Sequence, residues 1–292
     1  DTFSARFAPF PVRLDILSRL RTASERRETL RSLTEGTTDI VIGTQGLIGK
    51  KVSFHRLGLL IVDEEQKFGV ADKEKIKEMK AGIDVLTLTA TPIPRTLHLA
   101  LSRLRSLSLI ASPPEERMAV KAIVTPFTAE VIGEALETEF GRGGQAFFLH
   151  NRIETIFERA SFLTALHPGL RIAVAHGRMG ESELDEAMCR FHRGEADLLL
   201  CTAIVGAGLD IPRANTMIVE RADTFGLADL YQLKGRVGRS DVRAFTYFLT
   251  PPEVDLTPEA EQRLEAIQEL SYLGAGFRLA MMNQCGRCHE DE

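Results

Sequence analysis

Leu59-Leu60-Ile61-Val62-Asp63-Glu64-Glu65-Gln66 decides the reading of this chain. Four apolar residues in a row suit a strand buried on both faces of a parallel sheet, and the run ends abruptly in carboxylates. Open α/β sheets bind ligands outside the carboxyl ends of their strands, so Asp63 and Glu64 stand where a ligand would lie. Adjacent carboxylates there suit Mg²⁺ and a nucleotide: Asp63 would hold the metal through its waters and Glu64 would orient an attacking water. A solvated acidic turn is the plainer alternative, and for an isolated Asp-Glu pair it is the better one. The surroundings decide.

Outward from that strand, short apolar runs alternate with helical patterns, as in α/β domains with a parallel sheet. The first part offers Ile40 to Thr44, Leu59 to Asp63 and Val85 to Thr89; the second offers Ala146 to Leu149, Ile172 to Ala175, Leu198 to Thr202, Met217 to Val219 and Phe245 to Leu249. Leu184, Ala187, Met188 and Phe191 recur at helical spacing. Thr257-Pro258 reads as an N-cap and first helical residue, with Leu264, Ile267 and Leu270 behind it. Paired prolines in Ser112-Pro113-Pro114-Glu115-Glu116-Arg117 resist both helix and sheet and mark a linker. The expected organisation is a first domain over 1–112, a linker over 113–119, a second domain over 120–250 and a further segment over 251–292.

The 292 residues are 44% hydrophobic with a net charge of −5, enough apolar material for two cores and no bulk basic signal for nucleic acid. Any such contact must be local. No apolar run reaches the length of a membrane span, and Asp1-Thr2 opens no signal peptide, so a soluble cytoplasmic protein without a membrane partner is expected. Cys189 and Cys201 fall in apolar patterns, which suits reduced thiols. A start on Asp also reads as a beginning partway into something longer.

Two further stretches carry chemistry. Thr89-Ala90-Thr91-Pro92-Ile93-Pro94-Arg95 is a hydroxyl-bearing turn after an apolar run, or simply a strand-to-helix turn. Gln232-Leu233-Lys234-Gly235-Arg236-Val237-Gly238-Arg239 places Gln232, Arg236 and Arg239 at i, i+4 and i+7, one face if the stretch is helical throughout. Two guanidiniums on one face suit a triphosphate, and a glycine before each leaves room for close approach.

Together and in this order, the three stretches resemble motifs of the superfamily 2 helicases. Longer segments, Ile61 to Gly69, Glu220 to Ser240 and Leu273-Gly274-Ala275-Gly276-Phe277, resemble the transcription-repair coupling factors most, with RecG-like fork-remodelling helicases the next resemblance. The resemblance runs from Phe3 to Met281. It implies two RecA-like parallel-sheet domains, the first incomplete, followed by the start of a translocation hairpin. It implies ATP and Mg²⁺ as cofactors, double-stranded DNA as partner, and displacement of stalled RNA polymerase through a module outside this chain. By resemblance, Asp63 and Glu64 are catalytic carboxylates, Arg236 and Arg239 arginine fingers, and Gln66, Gly208, Asp210 and Gln232 nucleotide contacts. Gly43, Thr44, Thr89, Thr91, Arg95, His176, Gly177 and Thr202 would follow the DNA backbone or couple it to ATP. Taken alone, His176 reads more simply as a strand-end histidine bonded to backbone.

The pattern breaks in three places. No G-x-x-x-x-G-K-[ST] phosphate loop exists; Gly43 to Lys51 comes nearest, with five residues between its glycines and Lys51 where Ser or Thr should stand. In the family the true loop lies upstream of where this chain starts. Gly206 and Ala207 stand where relatives carry Glu and Thr. The tail contains Cys285-Gly286-Arg287-Cys288-His289, the spacing of c-type haem attachment, but without an export signal or a partner pair for zinc; chance or a disrupted reading frame explains it more simply. A fork remodeller and a non-hydrolysing DNA-binding module remain alternatives to the translocase.

Overall fold

The structure is a computed structural model and describes residues 2–18, 21–49, 51–65, 68–79, 82–89, 108, 110, 118–202, 211–252 and 255–269. It divides into two compact units, residues 1–90 and 91–292. The linker expected at Ser112–Arg117 and the tail from Leu270 onward lie outside the described residues.

The first unit runs α1 (Thr2–Phe7), β1 (Leu14–Leu17), α2 (Ala23–Glu35), β2 (Ile40–Gly43), β3 (Leu59–Asp63), α3 (Val70–Met79) and β4 (Asp84–Leu88). Two parallel pairs form, β1 with β2 and β3 with β4. Helix α2 is fixed at its start by a capping box, the Glu25 amide donating to Thr22 Oγ1 while the Thr22 amide donates to the Glu25 carboxylate. Those bonds hold the Glu25 carboxyl at about 2, well under the usual range. Strand β1 escaped the sequence reading because Asp15 interrupts it. The structure explains that residue: its carboxylate accepts from Ser32 Oγ and Thr38 Oγ1.

The expectation of strands buried on both faces is corrected here. Leu59, Ile61, Leu86 and Leu88 alternate along β3 and β4, and each is 41–53% exposed. Alternate residues of a strand share a face, so one whole apolar face of this pair is open while Val62 is buried on the other.

In the second unit the six-stranded parallel sheet has the order β5 (Lys121–Pro126), β10 (Phe245–Thr250), β9 (Ala214–Val219), β6 (Gln145–Leu149), β8 (Leu198–Cys201), β7 (Ile172–Ala175). The helices are α4 (Ala129–Gly141), α5 (Ile156–Leu166), α6 (Glu181–His192), α7 (Leu227–Lys234) and α8 (Pro258–Glu269). Strand β5 had not been expected: it is an edge strand that opens on Lys121 and ends on Pro126, a polar frame around three apolar residues. Strand alternation builds two cores. Phe148, Leu198 and Leu200 meet Ile132, Leu136 and Leu163 of α4 and α5. Phe147, Leu199 and Phe248 meet Phe191, Leu230 and Ile267 of α6, α7 and α8. Each such fully buried side chain contributes about 1.5–3 kcal/mol.

The amino edge of this sheet is closed by bonded polar groups. Gln145 donates from Nε2 to the carbonyls of Phe191 and Ala196. Glu139, fully buried, accepts from Arg142 and from Thr216 Oγ1. Gly144 lies so close to it that a β-carbon would stand 1.8 Å from Oε1. Among the described residues, no helix is long and apolar enough to cross a membrane.

Candidate functional site

At the end of β3, Asp63 pairs with Leu88 of β4, and the Glu64 amide then donates to the Leu88 carbonyl at 2.9 Å, carrying the ladder one residue past the strand. Glu64 does this with φ at +53°, the left-handed region that residues with a β-carbon avoid. Thr87 Oγ1 lies 3.4 Å from Glu65 Oε2, a second, longer tie between the carboxylate turn and β4. Asp63 is exposed and Glu64 half-buried. So the carboxylate pair stands at the strand end where the sequence put it, and Thr89 directly follows the last residue of the neighbouring strand. Gln66, Thr91 and Arg95 lie outside the described residues.

Among the described residues no three His, Cys, Asp or Glu side chains gather into a metal cage. Two adjacent carboxylates, one exposed and one half-buried, could supply part of the oxygen shell of a hydrated Mg²⁺ ion.

Gly43 closes β2. A β-carbon there would stand 2.4 Å from the Leu17 carbonyl oxygen and 2.9 Å from Leu47, so glycine is required by packing within the unit. Thr44 is exposed and opens a 3-10 turn over Gln45–Ile48.

In the second unit the carboxyl ends of β7 and β8 bring His176 and Thr202 side by side. The His176 amide donates to Met179 Sδ at 3.3 Å and the Thr202 amide to the Ala175 carbonyl at 3.2 Å. Both side chains nevertheless keep a buried polar atom without a protein partner, Nδ1 of His176 and Oγ1 of Thr202. The simpler reading of His176, a side chain satisfied by backbone, is thereby corrected for Nδ1. Such buried orphans are costly, and Glu139, Gln145, Arg159, His167 and Thr246 each carry one as well. Gly177 is exposed between His176 and α6. Gly208 and Asp210 lie outside the described residues.

The arginine stretch is arranged otherwise than its spacing implied. Helix α7 ends at Lys234, Gly235 caps it, and Gly238 takes φ +74°. Gln232 is therefore helical but Arg236 and Arg239 are not, and no common helical face joins them. Gly238 serves its own domain: a β-carbon would come within 2.7 Å of Val120 Cγ2. At Gly235 the nearest atoms would be at ordinary contact distance, 3.5 Å or more. Arg236 is half-buried and Arg239 exposed. Lys234 is buried against α8 with Nζ 3.5 Å from the Ile267 carbonyl, and burial lowers its pKa to about 8. Burial raises the Cys201 thiol to about 12, which makes it inert.

One cluster was not singled out in the sequence. His150, ending β6, bonds Glu220 at the end of β9 through Nδ1 and Thr155 through Nε2, both at 2.8 Å. Arg159 bonds the other Glu220 oxygen at 2.6 Å, with its guanidinium stacked over Phe127 and Phe162 at 4.6 and 5.1 Å. His150, Thr155, Arg159 and Glu220 line a cavity of about 480 Å³ at the carboxyl edge. The rule that found Asp63, a polar residue ending an apolar strand, would have found His150 after Phe147-Phe148-Leu149.

Comparison with known proteins follows the division into units. Residues 1–100 match the DEAD/DEAH box helicase family and residues 128–241 the helicase conserved C-terminal domain. Transcription-repair-coupling factors are 51% identical in Myxococcus xanthus over 279 residues and 52% identical in Escherichia coli over 280, in both cases covering 96% of this chain. The chain spans 23–24% of the length of those relatives. A structure of RecG bound to a three-way DNA junction matches at TM-score 0.74 and 33% identity, over 96% of this chain and 37% of that one. Mycobacterium smegmatis Lhr, solved with ssDNA and AMP-PNP, matches at TM-score 0.61 and 16% identity over 91% of this chain and 39% of its own, a likeness of fold alone.

Proposed function

The chain belongs to the superfamily 2 helicases, on the side of the transcription-repair-coupling factors, and from that premise we propose that it is the motor segment of an ATP-driven double-stranded-DNA translocase that displaces stalled RNA polymerase. Support comes above all from the Asp63-Glu64 strand end, where two carboxylates sit beyond a parallel strand and one is held in a backbone conformation it would otherwise avoid. Such strain gathers at functional sites. Identity of 51–52% against 33% favours the coupling factors over a fork-remodelling helicase.

In this reading 1–112 and 120–250 are the two motor domains, joined by 113–119, and 251–292 begins the translocation hairpin. ATP with Mg²⁺, when bound, supplies the phosphoryl group. Asp63 would hold the hydrated metal, and Glu64 would accept a hydrogen bond from the attacking water and then its proton. Gln66, Gly208, Asp210 and Gln232 contact the nucleotide, while Arg236 and Arg239 neutralise charge developing on the γ-phosphate. Gly43, Thr44, Thr89, Thr91, Arg95, His176, Gly177 and Thr202 follow the DNA backbone, contacts that position without reading sequence. Engagement of RNA polymerase uses a module outside this chain.

Carboxylates and arginines act only on a triphosphate already held in line, and this chain has no phosphate loop to hold it. By itself it is therefore expected to show no DNA-stimulated ATP hydrolysis. Joined at its N-terminus to a phosphate-loop segment from a coupling factor, it should hydrolyse ATP in response to duplex DNA, and Glu64→Gln in that fusion should abolish the response. Turnover by the chain alone that disappears with Glu64→Gln would mean that it grips ATP in another way; a fusion that stays inactive with both domains folded would refute the motor assignment.

A further inference from the structure

Helix α5 begins at the carboxyl edge of the second sheet and turns its second residue, Phe157, outward, with 64% of its surface exposed. Ile156 and Leu163 of the same helix are fully buried, so the core does not claim the ring. The Phe157 ring lies near-perpendicular to the imidazole of His176, 6.2 Å between centroids and 88° between planes. An ion pair between Glu154 and Arg178, 2.8 Å long, ties the same two segments together beside them. One strand further on is Thr202 with its unbonded hydroxyl. The edge thus presents a half-buried His176 and an exposed Gly177, with Thr202 buried behind them and one exposed aromatic ring alongside.

A nucleic-acid strand alternates in the same sense, with a charged phosphate followed by the apolar face of a sugar. We propose that Phe157 is a specificity-determining residue that packs on the sugar next to the phosphates followed by His176, Gly177 and Thr202, and that it thereby selects deoxyribose over ribose. This rests on the reading that those three residues follow the DNA backbone. A 2′-hydroxyl pressed against a ring loses its water and gains no acceptor, a penalty that deoxyribose escapes. A discrimination of about tenfold is within reach of one such hydroxyl.

The test is fluorescence anisotropy on the intact chain at one salt concentration. Its probes are a DNA duplex, the matching DNA–RNA hybrid, and a hybrid whose RNA strand carries 2′-fluorine, which keeps the ribose-like helix shape without the hydroxyl. The chain should bind the DNA duplex about tenfold more tightly than the hybrid, with the fluorinated hybrid close to DNA. Phe157→Gln should weaken DNA binding several-fold and equalise all three probes, leaving the salt dependence unchanged because no charge is lost. Phe157→Tyr, which keeps the ring, should restore the preference. If Phe157→Gln keeps the full preference, or the fluorinated hybrid binds as poorly as the natural one, the proposal is wrong. Thr202→Ala weakening every probe while Phe157→Gln changes nothing would leave the backbone contacts standing and remove only the role of Phe157. A chain that binds no duplex at all would end both.

Discussion

Glu64 carries backbone strain at the residue proposed to orient the attacking water. A side chain in the left-handed region costs about 1 kcal/mol, and here the backbone is held there by its bond to Leu88. Glu64→Gly should accordingly stabilise the β3–β4 pair by about 1 kcal/mol relative to Glu64→Ala, because only glycine relieves the strain and both remove the carboxylate. Hydrogen exchange of the Leu59–Leu88 amides measures this, and equal protection in the two variants would mean that the turn is unstrained. The pair itself was legible because carboxylates ending an apolar run form a local pattern. The φ of Glu64 was not, since glutamate has no preference for that region. The bond of His150 to Glu220 was hidden for another reason: the two lie 70 residues apart, beyond any local pattern.

Secondary-structure elements were legible wherever composition was uniform along them. Strand β3 runs over the expected residues, and α8 begins as Thr257-Pro258 implied, with the Ala260 amide donating to Thr257 Oγ1 at 3.3 Å. The end of α7 was misread because i, i+4, i+7 spacing describes a helix only if the helix continues, and Gly235 and Gly238 were taken as making room for a ligand. Their environments predict opposite outcomes. Gly238→Ala forces a β-carbon into Val120 at a positive φ and should destabilise the second unit by about 2 kcal/mol or more. Gly235→Ala meets nothing closer than 3.5 Å and should leave stability within about 0.5 kcal/mol of the parent or raise it. Urea unfolding of the second unit separates the two, and equal losses would show that both glycines are packing residues.

At the scale of the whole molecule, the two units differ in how well they cover their strands. Sheet and helices of the second enclose two full cores, whereas β3 and β4 of the first leave alternate apolar residues half exposed. Limited proteolysis should therefore leave a resistant fragment containing residues 120–249 while the first unit is cut early, with mass spectrometry identifying the products. Comparable lifetimes for both would contradict this. The parallel architecture was readable from alternation, but the open face was not, because four apolar residues in a row look alike whether one side is covered or two. In the second sheet, all strands running one way also give its two rims different fates. The rim of Glu139, Gly144 and Gln145 is packed, with Gly144 against the Glu139 side chain and Gln145 bonded to the Phe191 and Ala196 carbonyls, while the opposite rim ends in a half-buried His176 and an exposed Gly177. A substitution at the first rim must therefore be absorbed by packed neighbours, whereas one at Gly177 changes what the domain offers to its surroundings and leaves both cores as they are.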